Sequence, residues 1–163
     1  MATPALDAQL VLTAGRSSDL DEVMDVMDAA FGNRFGEAWT RSQCAGILPM
    51  HGVSLILARD SNDRKAVGFS LVRTVADESE LLLIAVLPHR HREGIASRLL
   101  DNFMNRGESE GVRRLHLEVR DGNPAVDMYR RAGFRAVGRR RNYYRTPGGE
   151  QFDALTLVRT LEY

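Results

Sequence analysis

The sequence predicts a single α/β (α+β) domain built on a mixed, mostly antiparallel sheet with helices on both faces. Three stretches carry that expectation. The apolar run Leu81–Leu87 stops at Pro88, too short to cross a membrane and suited to a strand buried on both faces. Behind it Ile95, Leu99 and Phe103 recur beside Ala96, Leu100 and Met104 at three- and four-residue spacing, the stripe of an amphipathic helix. On either side lie strand signals. Val53–Ala58 and Ala66–Val75 flank the polar turn 59–65 as a hairpin, and Leu115, Leu117 and Val119 alternate with His116, Glu118 and Arg120.

In chain order, residues 1–8 are expected to be a loose tail and 9–163 one domain, a length that fills one core. Leu10–Thr13 is a first strand. Ser18, with Asp21 three residues on, is expected to cap a helix that buries Leu20, Val23, Met24, Met27 and Phe31. Phe31–Trp39, FGNRFGEAW, is too irregular for regular structure, and a second helix follows from about Thr40 to Leu48. The hairpin comes next, then a loop over 76–80, the strand Leu81–Leu87, and a helix ending near Gly107. After the strand Arg113–Arg120, Pro124 opens a helix packed through Ala125, Val126, Tyr129 and Ala132, and Gly133 before Phe134 closes it.

Composition excludes several classes of function. Lys+Arg and Asp+Glu both number 22, so overall charge does not steer the chain to nucleic acid as its main ligand. The halves differ, with a formal charge of −5 over residues 1–80 and +5 over 81–163. Cys44 is the single cysteine, which excludes an internal disulfide, and His51, His89, His91 and His116 lack metal-ligand spacing, so no metal is expected. The start MATPALDAQL lacks the basic and apolar regions of a signal peptide, and a reducing cytoplasm is the expected compartment, with no membrane segment.

Between the strand and its helix lies His91-Arg92-Glu93-Gly94-Ile95-Ala96-Ser97. Small residues at 94 and 96 let a ligand approach the backbone, the first helical N–H groups have no internal partners, and arginines flank the turn. That is the outline of an anion site, although a lone Gly-x-Ala turn also occurs where nothing binds.

The run H-x-x-G-x-A from His91 to Ala96, after an apolar strand, resembles the R/Q-x-x-G-x-G/A signature of the GCN5-related N-acetyltransferase (GNAT) superfamily, with His91 where Gln or Arg is usual. N-P-A-V-x-M-Y-x-x-x-G-F from Asn123 resembles a second GNAT signature. The resemblance implies a sheet split in a V between the Leu81 and Leu115 strands. It implies acetyl-CoA as acyl-donor substrate, its pantetheine along Ile84, Ala85 and Val86, and its pyrophosphate at His91, Arg92, Glu93, Gly94, Ile95, Ala96 and Ser97, with Asn123 also on the cofactor side.

L-H-L-E-V-R, Asn123, Tyr129, Gly133-Phe134 and Arg140-Arg141-Asn142-Tyr143-Tyr144 are similar, more narrowly, to the bacterial ribosomal-protein-alanine N-acetyltransferases (the RimI type). That likeness implies Glu118 as general base, Tyr129 as general acid, and Tyr143 with Tyr144 at a peptide entrance. Phe35 and Trp39 fall in the region that overhangs the acceptor in the superfamily. The acceptor implied is a protein or peptide N-terminal α-amine. A small amine, or a non-catalytic acyl-CoA-binding regulator, would also suit the cofactor motif, and the oligomeric state stays open.

Three departures concern the acceptor side. Glu118 and Tyr129 stand 11 apart where the group has 12, FGNRFGEAW replaces a shorter segment, and the hairpin at Gly149–Ala154 is longer. Arg130, Arg131, Arg135, Arg139, Arg140, Arg141 and Arg145 are either solvated faces of a chain whose single lysine is Lys65, or contacts to phosphate.

Overall fold

The computed structural model describes residues 9–162, so the tail expected over 1–8 lies outside the described residues. Its elements are β1 (Leu10–Ala14), α1 (Leu20–Ala30), α2 (Arg41–Ile47), β2 (Val53–Asp60), β3 (Ala66–Val75), β4 (Glu78–Val86), α3 (Ile95–Ser109), β5 (Arg114–Arg120), α4 (Ala125–Arg131), β6 (Arg135–Arg145) and β7 (Gln151–Thr160). The strands form one open sheet in the order β1-β2-β3-β4-β5-β7-β6. All neighbours are antiparallel except β4 and β5, which are parallel and joined through α3.

Helices cover both faces because successive strand residues point opposite ways. Leu55 and Leu57 of β2 meet Val23, Val26 and Met27 of α1 and Cys44 of α2. Ile56 and Ala58 meet Ile95 and Leu99 of α3. Further along, Leu100, Phe103 and Met104 of α3 and Val126 and Tyr129 of α4 share a cluster with Leu115, Leu117 and Leu157. Leu57, Leu99, Leu115 and Leu157 are wholly buried, each worth about 2 kcal/mol of apolar transfer.

Three local expectations are corrected. The first helix starts at Leu20 after a 3₁₀ turn over Ser17–Asp19, and Asp19 Oδ2, not Ser18, accepts the Arg16 N–H at 2.9 Å. A carboxylate makes the stronger, charge-assisted bond. β4 begins at Glu78 rather than Leu81, because Val75 pairs with Glu78 across a two-residue turn and Glu78 also pairs with Arg114, giving this backbone partners on both sides. α3 runs past Gly107 to Ser109, and Gly107 is the small residue that lets the helix approach Leu115.

The V between the central strands has a visible origin. β4 pairs with β5 only from Glu78↔Arg114 to Leu81↔Leu117. One residue later the β3–β4 register shifts, with Leu71 opposite Leu83 and Val72 opposite Leu81, so Leu82 is the extra residue of a bulge. A bulge bends its strand. β4 stays with β3 while β5 continues along β7 to Arg120↔Ala154, and the sheet opens between them.

Candidate active site

The opening exposes one edge of β4. Leu87 N–H bonds to Val67 O at 2.9 Å, so antiparallel alternation turns Ala85 toward β3 and leaves the N–H and C=O groups of Ile84 and Val86 aimed into the split. His91 confirms the direction at the far end, its Nε2–H donating to Val86 O at 3.1 Å. The Ile84 side chain lines the cleft, whereas Ala85 and Val86 are buried.

That edge leads to the start of α3. Gly94 stands before the first helical turn at φ +79°, and nothing lies within 4 Å of where a Cβ would sit. Arg98 N–H, bonded to Gly94 O at 3.0 Å, closes the first helical turn, so the N–H groups of Ile95, Ala96 and Ser97 precede the helix's own ladder and carry the positive end of its dipole. Arg90 braces the loop from below. Its Nε donates to Glu93 Oε2 at 2.7 Å and its Nη1 to Asp60 Oδ2 at 3.0 Å. Arg92, at φ +65°, is exposed beside the free N–H groups.

The cleft where the V begins to open is lined by Glu80, Leu81, Leu82, Leu83 and Ile84 of β4, Leu117, Glu118 and Val119 of β5, Asn123 and Tyr129 around α4, Tyr143 and Tyr144 of β6, and Phe31, Glu37 and Trp39 from the α1–α2 loop. Glu118 and Tyr129 thus share one cleft despite the shortened turn. Glu118 Oε2 accepts from Thr156 Oγ1 at 2.8 Å, and Oε1 faces Arg140 Nε at 3.0 Å. Tyr129 is buried, edge-on to Phe134 with ring centroids 6.1 Å apart. Burial first, and the Glu37 charge second, push its phenol well above the ordinary tyrosine range, so it holds its proton at any working pH.

Tyr143 and Tyr144 reach the cleft through an irregularity in β6. Between the pairs Arg140↔Ala154 and Tyr144↔Phe152 three residues stand opposite one, Asn142 adopts φ +54°, and its N–H bonds to Asp153 Oδ1 at 2.9 Å. The two rings meet edge to face at 4.9 Å. The Tyr144 phenol is also pushed up, by burial and then by the Glu37 charge, with smaller contributions from Tyr143, Glu118 and Tyr129.

Glu37 was not legible as a site residue. Its Oε1 accepts from Arg120 Nε at 3.2 Å and its Oε2 from Asn123 Nδ2 at 2.9 Å. Asn123 Oδ1 meanwhile takes the Ala125 N–H at 2.9 Å, so this side chain, expected on the cofactor side, ties the α4 start to the α1–α2 loop. Phe35 does not line the cleft. It lies under the Arg120 guanidinium at 3.7 Å and packs on Phe152 at 5.4 Å, while Trp39 does reach the cleft wall. Gly36, at φ +73°, sits where a Cβ would collide with the Arg145 backbone, which fixes how closely the loop crosses β6.

Residues 20–134 match the acetyltransferase (GNAT) family model. The chain therefore belongs to the GNAT family of acyl-transferring enzymes. Over 96 residues it is 36% identical to the [ribosomal protein bS18]-alanine N-acetyltransferase of Haemophilus influenzae, a match covering 59% of this chain and 66% of that protein. Against the Escherichia coli protein of the same description identity is 38% over 95 residues, covering 58% and 64%. The match thus spans a little under two thirds of the length of these relatives. In three dimensions the crystal structure of the Escherichia coli ribosomal-protein-S18-alanine N-acetyltransferase superposes with a TM-score of 0.83 at 27% identity, covering 94% of this chain and 95% of that one. Among the described residues no group of His, Cys, Asp and Glu has the arrangement of a metal site, and no helix is long and apolar enough to cross a membrane.

Proposed function

We propose that the protein transfers an acetyl group from acetyl-CoA directly to a primary amine, and that the acceptor is the α-amine of a protein or peptide N-terminus. One observation carries this reading: Glu118 and Tyr129 line the same cleft, whose β4 wall is a backbone edge that no strand pairs beyond Leu81 and that runs to the first N–H groups of α3. The donor fits these residues. The edge at Ile84 and Val86 matches the amide-bearing pantetheine arm, and the α3 start with Gly94 and Arg92 matches the pyrophosphate. Bound acetyl-CoA supplies the acetyl group as a thioester.

The amine nitrogen attacks the acetyl carbon, the new C–N bond forms, the C–S bond breaks, and Glu118 takes the proton lost by nitrogen. Tyr129 faces the departing sulfur with its O–H. A phenol held above its ordinary value gives up its proton uphill to a thiolate whose acid has a pKa near 8.5, so a hydrogen bond to the developing charge is the larger part of its contribution. An N-terminal amine, with pKa about 8 against about 10.4 for lysine, needs less help to reach the neutral attacking form. The similarity to alanine N-acetyltransferases of ribosomal protein supports a protein N-terminus, and a cytoplasmic location follows from that proposal.

The test is turnover with acetyl-CoA on an alanine-initiated peptide, a peptide whose only amine is a lysine side chain, and spermidine, followed by mass spectrometry. Modification of the alanine α-amine over the other two is the expected result. Equal modification of both peptides removes the N-terminal assignment, preference for spermidine makes the protein a small-amine acetyltransferase, and acetyl-CoA binding without turnover makes it a regulator.

A further inference from the structure

Three carboxylates line the cleft, Glu37, Glu80 and Glu118; Glu80 is paired with Arg73 at 3.2 Å, and the other two have partners that differ in kind. Glu118 pairs with Arg140, whose side chain is 62% exposed and free to swing into solvent. Glu37 pairs with Arg120, whose side chain is only 9% exposed, stacked on Phe35 and closed in by Phe152. Asn123, itself anchored to the Ala125 N–H, holds the second Glu37 oxygen. Thr156 Oγ1 likewise holds the second Glu118 oxygen, so Glu37 and Glu118 differ in the ionic partner, and a carboxylate held by a buried, stacked guanidinium is a charge fixed in place. Each Glu37 oxygen retains a lone pair, and apart from its Arg120 partner and the Arg140 on Glu118, no Lys, Arg or His lines the cleft among the described residues.

An acceptor amine with pKa about 8 arrives near neutral pH largely as an ammonium ion. The rings of Phe31, Trp39, Tyr143 and Tyr144 line the same space and favour a cation over a neutral group of the same size.

We propose that Glu37 is the fixed counter-charge that receives the acceptor as an ammonium ion, while Glu118, with its movable partner, takes the proton. Glu37 is thereby a specificity-determining residue that selects amines over isosteric neutral compounds. The inference rests on the amine-acetylation reading above, and the two fail differently.

The experiment measures binding with CoA present, so that no reaction occurs, of an alanyl tetrapeptide and of the same peptide carrying propionyl in place of alanyl. At pH 6.5 wild type binds the alanyl peptide about tenfold tighter, the advantage of a hydrogen bond to a charged group. Glu37→Gln reduces that preference to about twofold or less with CoA affinity unchanged, Glu37→Asp restores part of it, and Glu118→Gln keeps it while losing turnover. Thermal melting of each variant accompanies the titrations, and the wild-type comparison stands without any variant. Equal wild-type affinity for the two peptides, or full preference retained in folded Glu37→Gln, overturns the proposal. Failure of wild type to acetylate the alanyl peptide with acetyl-CoA overturns the acceptor reading beneath it and the proposal with it.

Discussion

Arg120 Nε donates to Glu37 Oε1 across 3.2 Å and 83 residues of chain, joining the last residue of β5 to the loop that overhangs the cleft. Both side chains are nearly buried, at 9% and 12% exposure. Removing one partner of such a pair leaves the other charge buried and uncompensated, so Arg120→Ala should destabilise the fold by about 3 kcal/mol in urea denaturation. Arg120→Lys should fall between, keeping the charge but losing the planar stack on Phe35. A change below about 0.5 kcal/mol for Arg120→Ala would show that the loop is held by other contacts.

The start of α3 makes a second prediction. Gly94 has φ +79° and open space where a Cβ would project. Gly94→Val should therefore strain the turn and fill the space proposed for pyrophosphate, weakening acetyl-CoA binding at least tenfold, about 1.4 kcal/mol. Calorimetry on the folded variant measures this, and unchanged affinity would place the donor elsewhere.

Tyr129 separates chemistry from binding. Tyr129→Phe keeps the ring packed on Phe134 and deletes only the hydroxyl. The kcat should fall by about 10²-fold or more with acetyl-CoA affinity nearly unchanged. A stable variant with wild-type kcat would return the residue to a packing role.

Much of this site was legible because its parts are local. The alternation Leu115-Leu117-Val119 put Glu118 on the other face of β5, and Pro124 with Gly133 bounded the helix that carries Tyr129. The bulge at Leu82 was hidden because LLLIAVL is apolar at every position, and alternation cannot show a one-residue slip in a strand buried on both faces. Glu37, Arg120 and Asn123 come together only through packing across more than 80 residues. The available signal was indirect: a charged residue ending a buried strand needs a partner, and the irregular loop held the carboxylate.

The acid limb of stability has its own source in the α1–β2 contact. Arg59 holds Glu22 below its ordinary value of 4.5 chiefly through a side-chain hydrogen bond, aided by the Ala66 N–H and opposed by burial. A carboxylate depressed in the folded state stabilises fully above its unfolded pKa, and that stabilisation is lost as pH falls through the folded value. Glu22→Gln should therefore melt lower than wild type above pH 4.5, with the gap closing below it. Melting curves from pH 3 to 7 decide this, and a gap constant over that range would make the Arg59 contact irrelevant to acid stability.

The sharpest test of the chemistry is the pH dependence of Glu118→Gln. The substitution keeps the shape and can still accept from Thr156 Oγ1, a bond now 2.8 Å long, but the amide takes no proton near neutrality. If Glu118 is the base, kcat/KM should fall most at low pH, where the α-amine is least often neutral, by about 10²-fold or more. Raising the pH toward and past an amine pKa of about 8 should restore part of the rate, because more acceptor then arrives already deprotonated. Loss of the Arg140 partnership alone predicts something else, a modest change independent of pH, since that side chain is largely exposed and its pairing weak. Steady-state rates from pH 6 to 9 with an alanine-initiated peptide distinguish the two. A variant that tracks wild type across that range would move the proton to another path from the same cleft.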